Sequence, residues 1–102
     1  MPIIIDVLKE EKERIERNEK IYQQELDELP KGSLVKKKRG SKEYYYISYR
    51  EGGKTKQEYL KMGPEAIEEL KRKIEKRRRL EQSLRKLRQE KKMVIRMVSK
   101  HE

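Results

Sequence analysis

One stretch of the chain combines aromatic and basic side chains in a pattern that could bind nucleic acid. Four of the six tyrosines lie between positions 44 and 49, and lysines and arginines flank them on both sides. Basic side chains gain free energy at phosphates mainly by releasing counterions, while tyrosine rings can stack on unpaired bases or contact a groove. The contact residues that this pattern predicts, together with a basic run further on, are Lys36, Lys37, Lys38, Arg39, Tyr44, Tyr46, Arg50, Lys54, Lys56, Arg77, Arg78 and Arg79.

The residue sets that catalysis or metal binding would need do not occur in the sequence. There is no cysteine, and the single histidine, His101, lies close to a chain end, where side chains are usually disordered. The many carboxylates stand at helical spacings beside Lys and Arg, which is typical of solvated ion pairs. No glycine-rich loop has the spacing that holds a phosphate. We therefore expect no enzymatic activity, no metal site and no cofactor.

Composition limits the size of the core and indicates the kind of partner. Charged residues make up 47% of the 102 residues, apolar residues 32%, and the formal net charge is +10. A large buried core is excluded, and such a surface attracts polyanions, although long solvated helices can have the same composition without any ligand. The apolar start, residues 1–8, is short and contains Asp6, so it predicts neither a signal peptide nor a membrane span. We expect a cytoplasmic protein.

Charge is unevenly distributed along the chain. Residues 1–30 have a formal net charge of −4, whereas residues 31–62 and 63–102 each have +7. This division predicts three segments within one structural unit: an acidic N-terminal helix, a basic three-stranded β-meander and a long basic C-terminal helix. It also suggests that the second and third segments have a function that the first lacks.

The N-terminal segment is expected to be a helix over roughly residues 4–28. Leu8, Ile15, Tyr22 and Leu29 recur every seven residues and draw one line down a helix. The packed face of this helix, its seam, is expected to include four further positions, which are mostly polar: Ile4, Glu11, Asn18 and Glu25. Because this stripe is thin, the helix needs another helix to pack against.

The middle segment is expected to form strands over about 34–38, 43–50 and 55–60, with turns at residues 39–42 and at Gly52-Gly53. Alternation along the second strand divides its side chains between two faces. One face holds Tyr45, Ile47 and Tyr49, which we expect to pack under a helix because the sheet otherwise has no core. The other face holds Tyr44, Tyr46 and Ser48 and is the better candidate for contact with a partner.

The C-terminal segment is expected to be one helix from Glu65 to about Ser99, because Pro64 suits the first helical position and no later Pro or Gly interrupts it. Its first apolar stripe, within 67–74, could cover the sheet. Its second, within 80–98, follows a different register and could pair with the N-terminal helix or with a second copy as a coiled coil. The stripes meet at residues 76–79. The predicted fold class is α+β, with a homodimer through the helices as a further expectation.

The segment "ELPKGSLVKKKRGSKEYYYISYREGGKTKQEYL" (Glu28–Leu60) resembles a recurring family of small uncharacterised bacterial and phage-related proteins, which implies a layout but no activity. The same meander is similar to the arm-type DNA-binding domain of tyrosine-recombinase integrases, in which a sheet enters the major groove. That resemblance implies DNA contacts, but this chain lacks a recombinase catalytic domain and has two long helices. Carried over by position, the implied contact residues are Lys36, Lys38, Tyr44, Tyr46, Arg50, Lys54 and Lys56.

Three functions remain compatible with these patterns. The leading hypothesis is a non-enzymatic protein that binds nucleic acid, with DNA favoured over RNA. The first alternative is a small phage-type inhibitor that binds a nucleic-acid-processing enzyme such as a CRISPR nuclease, that is, an anti-CRISPR. The second alternative is a coiled-coil protein with a structural or interaction role. No membrane is expected as a partner.

Overall fold

The computed structural model describes residues 2–101 and shows an α+β chain with two helices and one sheet. The elements in chain order are α1 (Pro2–Asp27), β1 (Ser33–Arg39), β2 (Lys42–Glu51), β3 (Lys54–Tyr59) and α2 (Pro64–His101). The strands form an antiparallel sheet in the order β1-β2-β3. This order of elements confirms the expected fold class. Over the described residues, neither helix has a stretch that is long and apolar enough to cross a membrane.

The described residues group into two compact units. The sheet unit comprises Leu29–Arg78, and the helical unit comprises residues 2–28 and 79–101. Helix α2 belongs to both units, and the boundary falls after Arg78, within the stretch where the two apolar stripes of α2 were expected to meet. The change of stripe therefore marks the point at which α2 exchanges one packing partner for another.

In the helical unit, α2 packs against α1 in the antiparallel sense. Lys9 and Lys12 of α1 line one groove with Val98 and Ser99 of α2, whereas Tyr22 lines another with residues 83–90. The buried side chains of this unit are Ile15, Leu26 and Leu84. The expected second stripe of α2 thus finds its partner within the chain.

The inward line of α1 differs from the expected one. Leu26 is only 3% exposed, whereas Glu25 is exposed and Ile4 is 46% exposed. Because an α-helix has 3.6 residues per turn, residues on one face are spaced alternately four and three positions apart. From Leu8, a step of four leads to position 12 and a further step of three leads to Ile15. At its two ends the line passes through Ile5 and Leu26 in place of Ile4 and Glu25. Between them, Glu11 and Asn18 are half-buried as expected, and so are Lys12 and Glu19.

Glu19 joins the acidic helix to the basic end of α2. Its Oε1 lies 3.4 Å from Lys91 Nζ and its Oε2 lies 3.9 Å from Arg88 Nε. The Glu19 side chain is 19% exposed, and Oε1 is buried without a well-aligned hydrogen bond, so the contact with Lys91 is an ion pair. Part of the charge segregation along the sequence is therefore explained by packing within the chain, because the acidic helix α1 lies beside the basic end of α2.

Glycines set the sheet register at two places. Gly52 and Gly53 both have positive φ, 59° and 77°, as a two-residue hairpin turn between β2 and β3 requires. Gly32 has a φ of 123°, and a Cβ at this position would lie 2.6 Å from the carbonyl oxygen of Ser48. No other residue type fits there without displacing the backbone where the chain enters β1.

Candidate nucleic-acid interface

Strand register assigns every side chain of the sheet to one of two faces. Tyr45 of β2 lies opposite Lys36 of β1. Ile47 of β2 lies between Leu34 of β1 and Glu58 of β3. Because side chains alternate along a strand, these residues share one face with their neighbours two positions away. We call this the helix face, and it comprises Leu34, Lys36, Lys38, Glu43, Tyr45, Ile47, Tyr49, Glu51, Lys54, Lys56 and Glu58.

The first part of α2 lies on the helix face. Leu34, Lys36 and Tyr45 line a groove of about 330 Å³ together with α2 residues that include Ile67 and Ile74. These two isoleucines are 5% and 4% exposed. The groove thus confirms that Tyr45 packs under a helix, whereas Ile47 and Tyr49, which share its face, do not line it.

All three acidic side chains of the strands lie on the helix face, and each has a partner there. Glu43 lies 3.0 Å from Lys36 Nζ, which raises the pKa of that lysine through a hydrogen bond and charge attraction. Lys56 Nζ lies 3.3 Å from Glu51. The Tyr49 hydroxyl donates a 2.6 Å hydrogen bond to Glu58. The negative charge of the strands is thus confined to one face, where lysines balance Glu43 and Glu51 and a neutral phenol donates to Glu58.

The opposite face is basic and has no acidic residue. We call it the basic face, and it comprises Ser33, Val35, Lys37, Arg39, Lys42, Tyr44, Tyr46, Ser48, Arg50, Thr55, Gln57 and Tyr59. Its four cations give a formal charge of +4, and the sheet unit as a whole has sixteen basic and seven acidic residues, a net +9 of the chain's +10. The four cations of the basic face thus have no acidic neighbour on the same face.

Three tyrosines form a cluster in the middle of the basic face. The Tyr59 ring centroid lies 6.0 Å from that of Tyr44 and 5.5 Å from that of Tyr46, with the ring planes inclined at 51° and 66°. Lys37 Nζ lies 4.6 Å from the centroid of the Tyr46 ring and donates a 2.9 Å hydrogen bond to Gln57 Oε1. The lysine thus crosses the face above Tyr46, a favourable cation–π arrangement.

The other three cations of the basic face are available to a ligand. Arg39, Lys42 and Arg50 are exposed, and none forms a hydrogen bond or ion pair with any residue in the range 2–101. Arg39 and Lys42 are directly opposite each other at one end of β2, and Arg50 lies near the other end. Phosphates could therefore be held on both sides of the tyrosine cluster.

The structure divides the predicted contact residues among several environments. Lys37, Arg39, Tyr44, Tyr46 and Arg50 lie together on the basic face. Those on the helix face are Lys36, Lys38, Lys54 and Lys56. This division separates neighbours in sequence, because adjacent residues of a strand point to opposite sides.

The arginines of the α2 run are also separated. Arg77 Nη1 donates a 2.9 Å hydrogen bond to the carbonyl oxygen of Leu29, and Arg78 Nη2 donates a 3.0 Å hydrogen bond to Ser33 Oγ. Both contacts tie α2 to the chain segment that enters the sheet. Arg79 is exposed and belongs to the helical unit.

Sequence reasoning missed Lys42, Gln57 and Tyr59 as members of this face. The sequence does contain the information needed to place Tyr59. The Gly52-Gly53 turn fixes Glu51 opposite Lys54, and pairing the residues of β2 and β3 outward from this turn places Tyr59 opposite Tyr46. The same count assigns all three strand acids to the other face.

Comparison with known proteins identifies a family. Residues 8–72 match the family described as Domain of unknown function (DUF6788). The match covers most of α1, the whole sheet and the first part of α2. No curated protein and no solved structure matches the chain. The likeness of the meander to integrase arm domains stays a prediction. Because the matched segment is more than half of the 102 residues, the chain belongs to the DUF6788 family.

Proposed function

We propose that the protein binds nucleic acid, with DNA favoured over RNA, through the basic face of its sheet. The observation that carries this proposal is the separation of charge between the two faces. Every acidic residue of the strands lies on the helix face, whereas the basic face has four cations around three tyrosines. A sheet that needed only solubility would gain nothing from such a separation.

The distribution of partners on the two faces supports the same proposal. On the helix face, two of the four lysines, Lys36 and Lys56, are neutralised by neighbouring carboxylates. On the basic face, Arg39, Lys42 and Arg50 have no such partner among residues 2–101. Phosphates that bind these cations would release counterions without first breaking an internal ion pair.

The basic face is less suited to the inhibitor function. A nucleic-acid channel is itself lined with lysine and arginine, because it holds phosphates. A face with a formal charge of +4 and no acid would be repelled by such a channel. A coiled-coil protein with a structural role alone gives no reason for the unpaired cations on the sheet.

The test is the salt dependence of binding to nucleic acid of random sequence. Fluorescence anisotropy with a labelled oligonucleotide would give the association constant at several salt concentrations. If about three or four phosphates are neutralised, log K should fall against log salt with a slope of about −2 to −4. Absence of binding at low salt would exclude the proposed function and leave a protein partner as the explanation of the basic face.

A further inference from the structure

We infer that the basic face recognises single-stranded nucleic acid, with unpaired bases stacked on the cluster formed by Tyr44, Tyr46 and Tyr59. This inference rests on the proposed function and specifies that the nucleic acid bound is single-stranded. It is carried by the position of the rings relative to the cations. The aromatic side chains occupy the middle of the face, and the cations lie at both ends of β2 or beside it on β1.

The rings of this cluster are placed to accept bases. Tyr59 is on an edge strand and is 51% exposed, and Tyr44 and Tyr46 are half-buried on the neighbouring strand. The Tyr59 ring is inclined to both of its neighbours, so it does not cover either of them face to face. Stacking on exposed aromatic rings is the main sequence-tolerant contribution to single-strand binding.

A duplex would make poor use of the same surface. Paired bases are covered on both faces by their neighbours, so a ring can stack on one only after the base is extruded. Reading base edges in the major groove relies instead on side chains such as Arg, Asn and Gln. The middle of the basic face has mainly Val35 and the three tyrosines, and its one amide, Gln57, accepts a hydrogen bond from Lys37.

Lys37 links the stacking surface to phosphate binding. In the free protein its ammonium group lies over Tyr46 and is held by Gln57. A base that stacks on Tyr46 would take the place of this ammonium group. The lysine is long enough to turn to the phosphate of the same nucleotide, so one cation–π contact is exchanged for a base stack and an ion pair.

The test compares two single strands that differ in their bases but have the same number of phosphates, and it includes a duplex as a third ligand. The probes are an oligothymidine of about 12 nucleotides, an abasic strand of equal length and a duplex of equal length, within the usual site sizes. We expect the oligothymidine to bind at least about tenfold more tightly than the abasic strand, which corresponds to one or more base stacks. The chain has six tyrosines and no tryptophan, so quenching of tyrosine fluorescence would report stacking directly.

A pair of protein variants completes the test. Tyr59→Leu keeps an apolar side chain but removes the ring, and should lower oligothymidine affinity about tenfold while leaving abasic-strand affinity unchanged. Tyr49→Leu is the matched control on the helix face and should leave both affinities unchanged. Circular dichroism would establish that both variants are folded.

The possible outcomes separate the inference from the proposed function. Equal affinity for oligothymidine and the abasic strand, or tighter binding to the duplex when ligand concentrations are expressed as phosphates, would overturn stacking and leave nucleic-acid binding intact. Binding to none of the three probes at low salt would overturn both. Loss of oligothymidine binding in Tyr59→Leu, with Tyr49→Leu unchanged, would support the inference.

Discussion

Lys37 Nζ lies 4.6 Å from the centroid of the Tyr46 ring, on the sheet face that has no acidic side chain. The contact shows how the basic face is organised in the free protein. Strand alternation keeps Lys37 away from the carboxylates of the helix face, and its ammonium group lies on an aromatic surface instead. The arrangement keeps the positive charge available, because a cation–π contact of an exposed lysine is weak, about 0.5–1 kcal/mol.

Replacing Lys37 by methionine should test this arrangement. Lys37→Met keeps the length of the side chain but removes the charge, so it should lower the free energy of unfolding by about 0.5–1 kcal/mol. The slope of log K against log salt should become less negative by about 0.7–0.9, the contribution of one phosphate. Urea unfolding and anisotropy would measure the two effects. Lys38→Met, on the helix face, is the control, and equal effects of the two substitutions would contradict the account.

Tyr49 should ionise at higher pH than an ordinary tyrosine. Its hydrogen bond to Glu58 raises its pKa above the ordinary value of 10.0, because the neutral phenol donates the bond and the phenolate would face a carboxylate. The stabilising contribution is therefore present in full below the ordinary value and is lost as pH rises through the raised one. A difference titration of phenolate absorbance between the wild type and Tyr49→Phe would isolate this group.

A second variant attributes the shift to Glu58. Glu58→Gln keeps an acceptor but removes the negative charge, so the Tyr49 pKa should fall towards its ordinary value. If Tyr49 titrates identically in the wild type and in Glu58→Gln, the negative charge of Glu58 is not the cause. Nucleic-acid binding should be unchanged in both variants near neutral pH, since both residues lie on the helix face.

Gly32 should be intolerant of any side chain. Gly32→Ala places a Cβ 2.6 Å from a backbone oxygen and forces a non-glycine residue to a φ of 123°. Strain of this kind costs about 1–3 kcal/mol. Gly63→Ser is the matched control, because no atom lies within 4 Å of the added Cβ and its hydroxyl can cap α2, so it should change stability by only a few tenths of a kcal/mol. Thermal unfolding would show whether the two glycines differ as expected.

Glu19 should be the most important charged residue of the helical unit. Glu19→Ala leaves Arg88 and Lys91 without this carboxylate, and the partial burial of the pair indicates a loss of about 1–2 kcal/mol, between that of exposed and buried pairs. Glu16→Ala breaks an exposed pair with Lys12 at 3.7 Å and should cost at most about 0.5 kcal/mol. Equal losses in the two variants would show that the interhelical ion pair contributes nothing beyond helix propensity.

The order and type of the elements could be predicted from the sequence because each is set by local chemistry. Pro64 fixes the start of α2, and Gly52-Gly53 fixes the second hairpin. The inward positions of α1 were predicted one residue too early at Ile4 and Glu25. Several positions between them are polar, as Lys12 and Glu19 are, and apolar periodicity alone cannot place them. An ion pair across two helices has no signal in the sequence of either.

The faces of the sheet were only partly predictable. Alternation separated Tyr44 and Tyr46 from Tyr45 correctly, but the lysines of β1 were treated as one group although they point to opposite faces. Which face the helix covers could be argued only from the need for a core, since each face has both apolar and charged residues. The burial of Ile67 over that face is a tertiary contact, which the sequence does not encode locally.

The central claim is that nucleic acid binds the basic face and is not attracted merely by the positive charge of the whole chain. Two double charge reversals test this claim most directly. Arg39→Glu with Lys42→Glu changes the basic face, and Lys38→Glu with Lys54→Glu changes the helix face of the same sheet. Each pair lowers the formal net charge of +10 by four, so long-range attraction falls equally.

Anisotropy titrations of a labelled single strand at one low salt concentration would compare the two variants with the wild type. The account predicts that the basic-face pair weakens binding at least about tenfold more than the helix-face pair, because only the former removes direct phosphate contacts. Equal weakening, or stronger weakening by the helix-face pair, would contradict it.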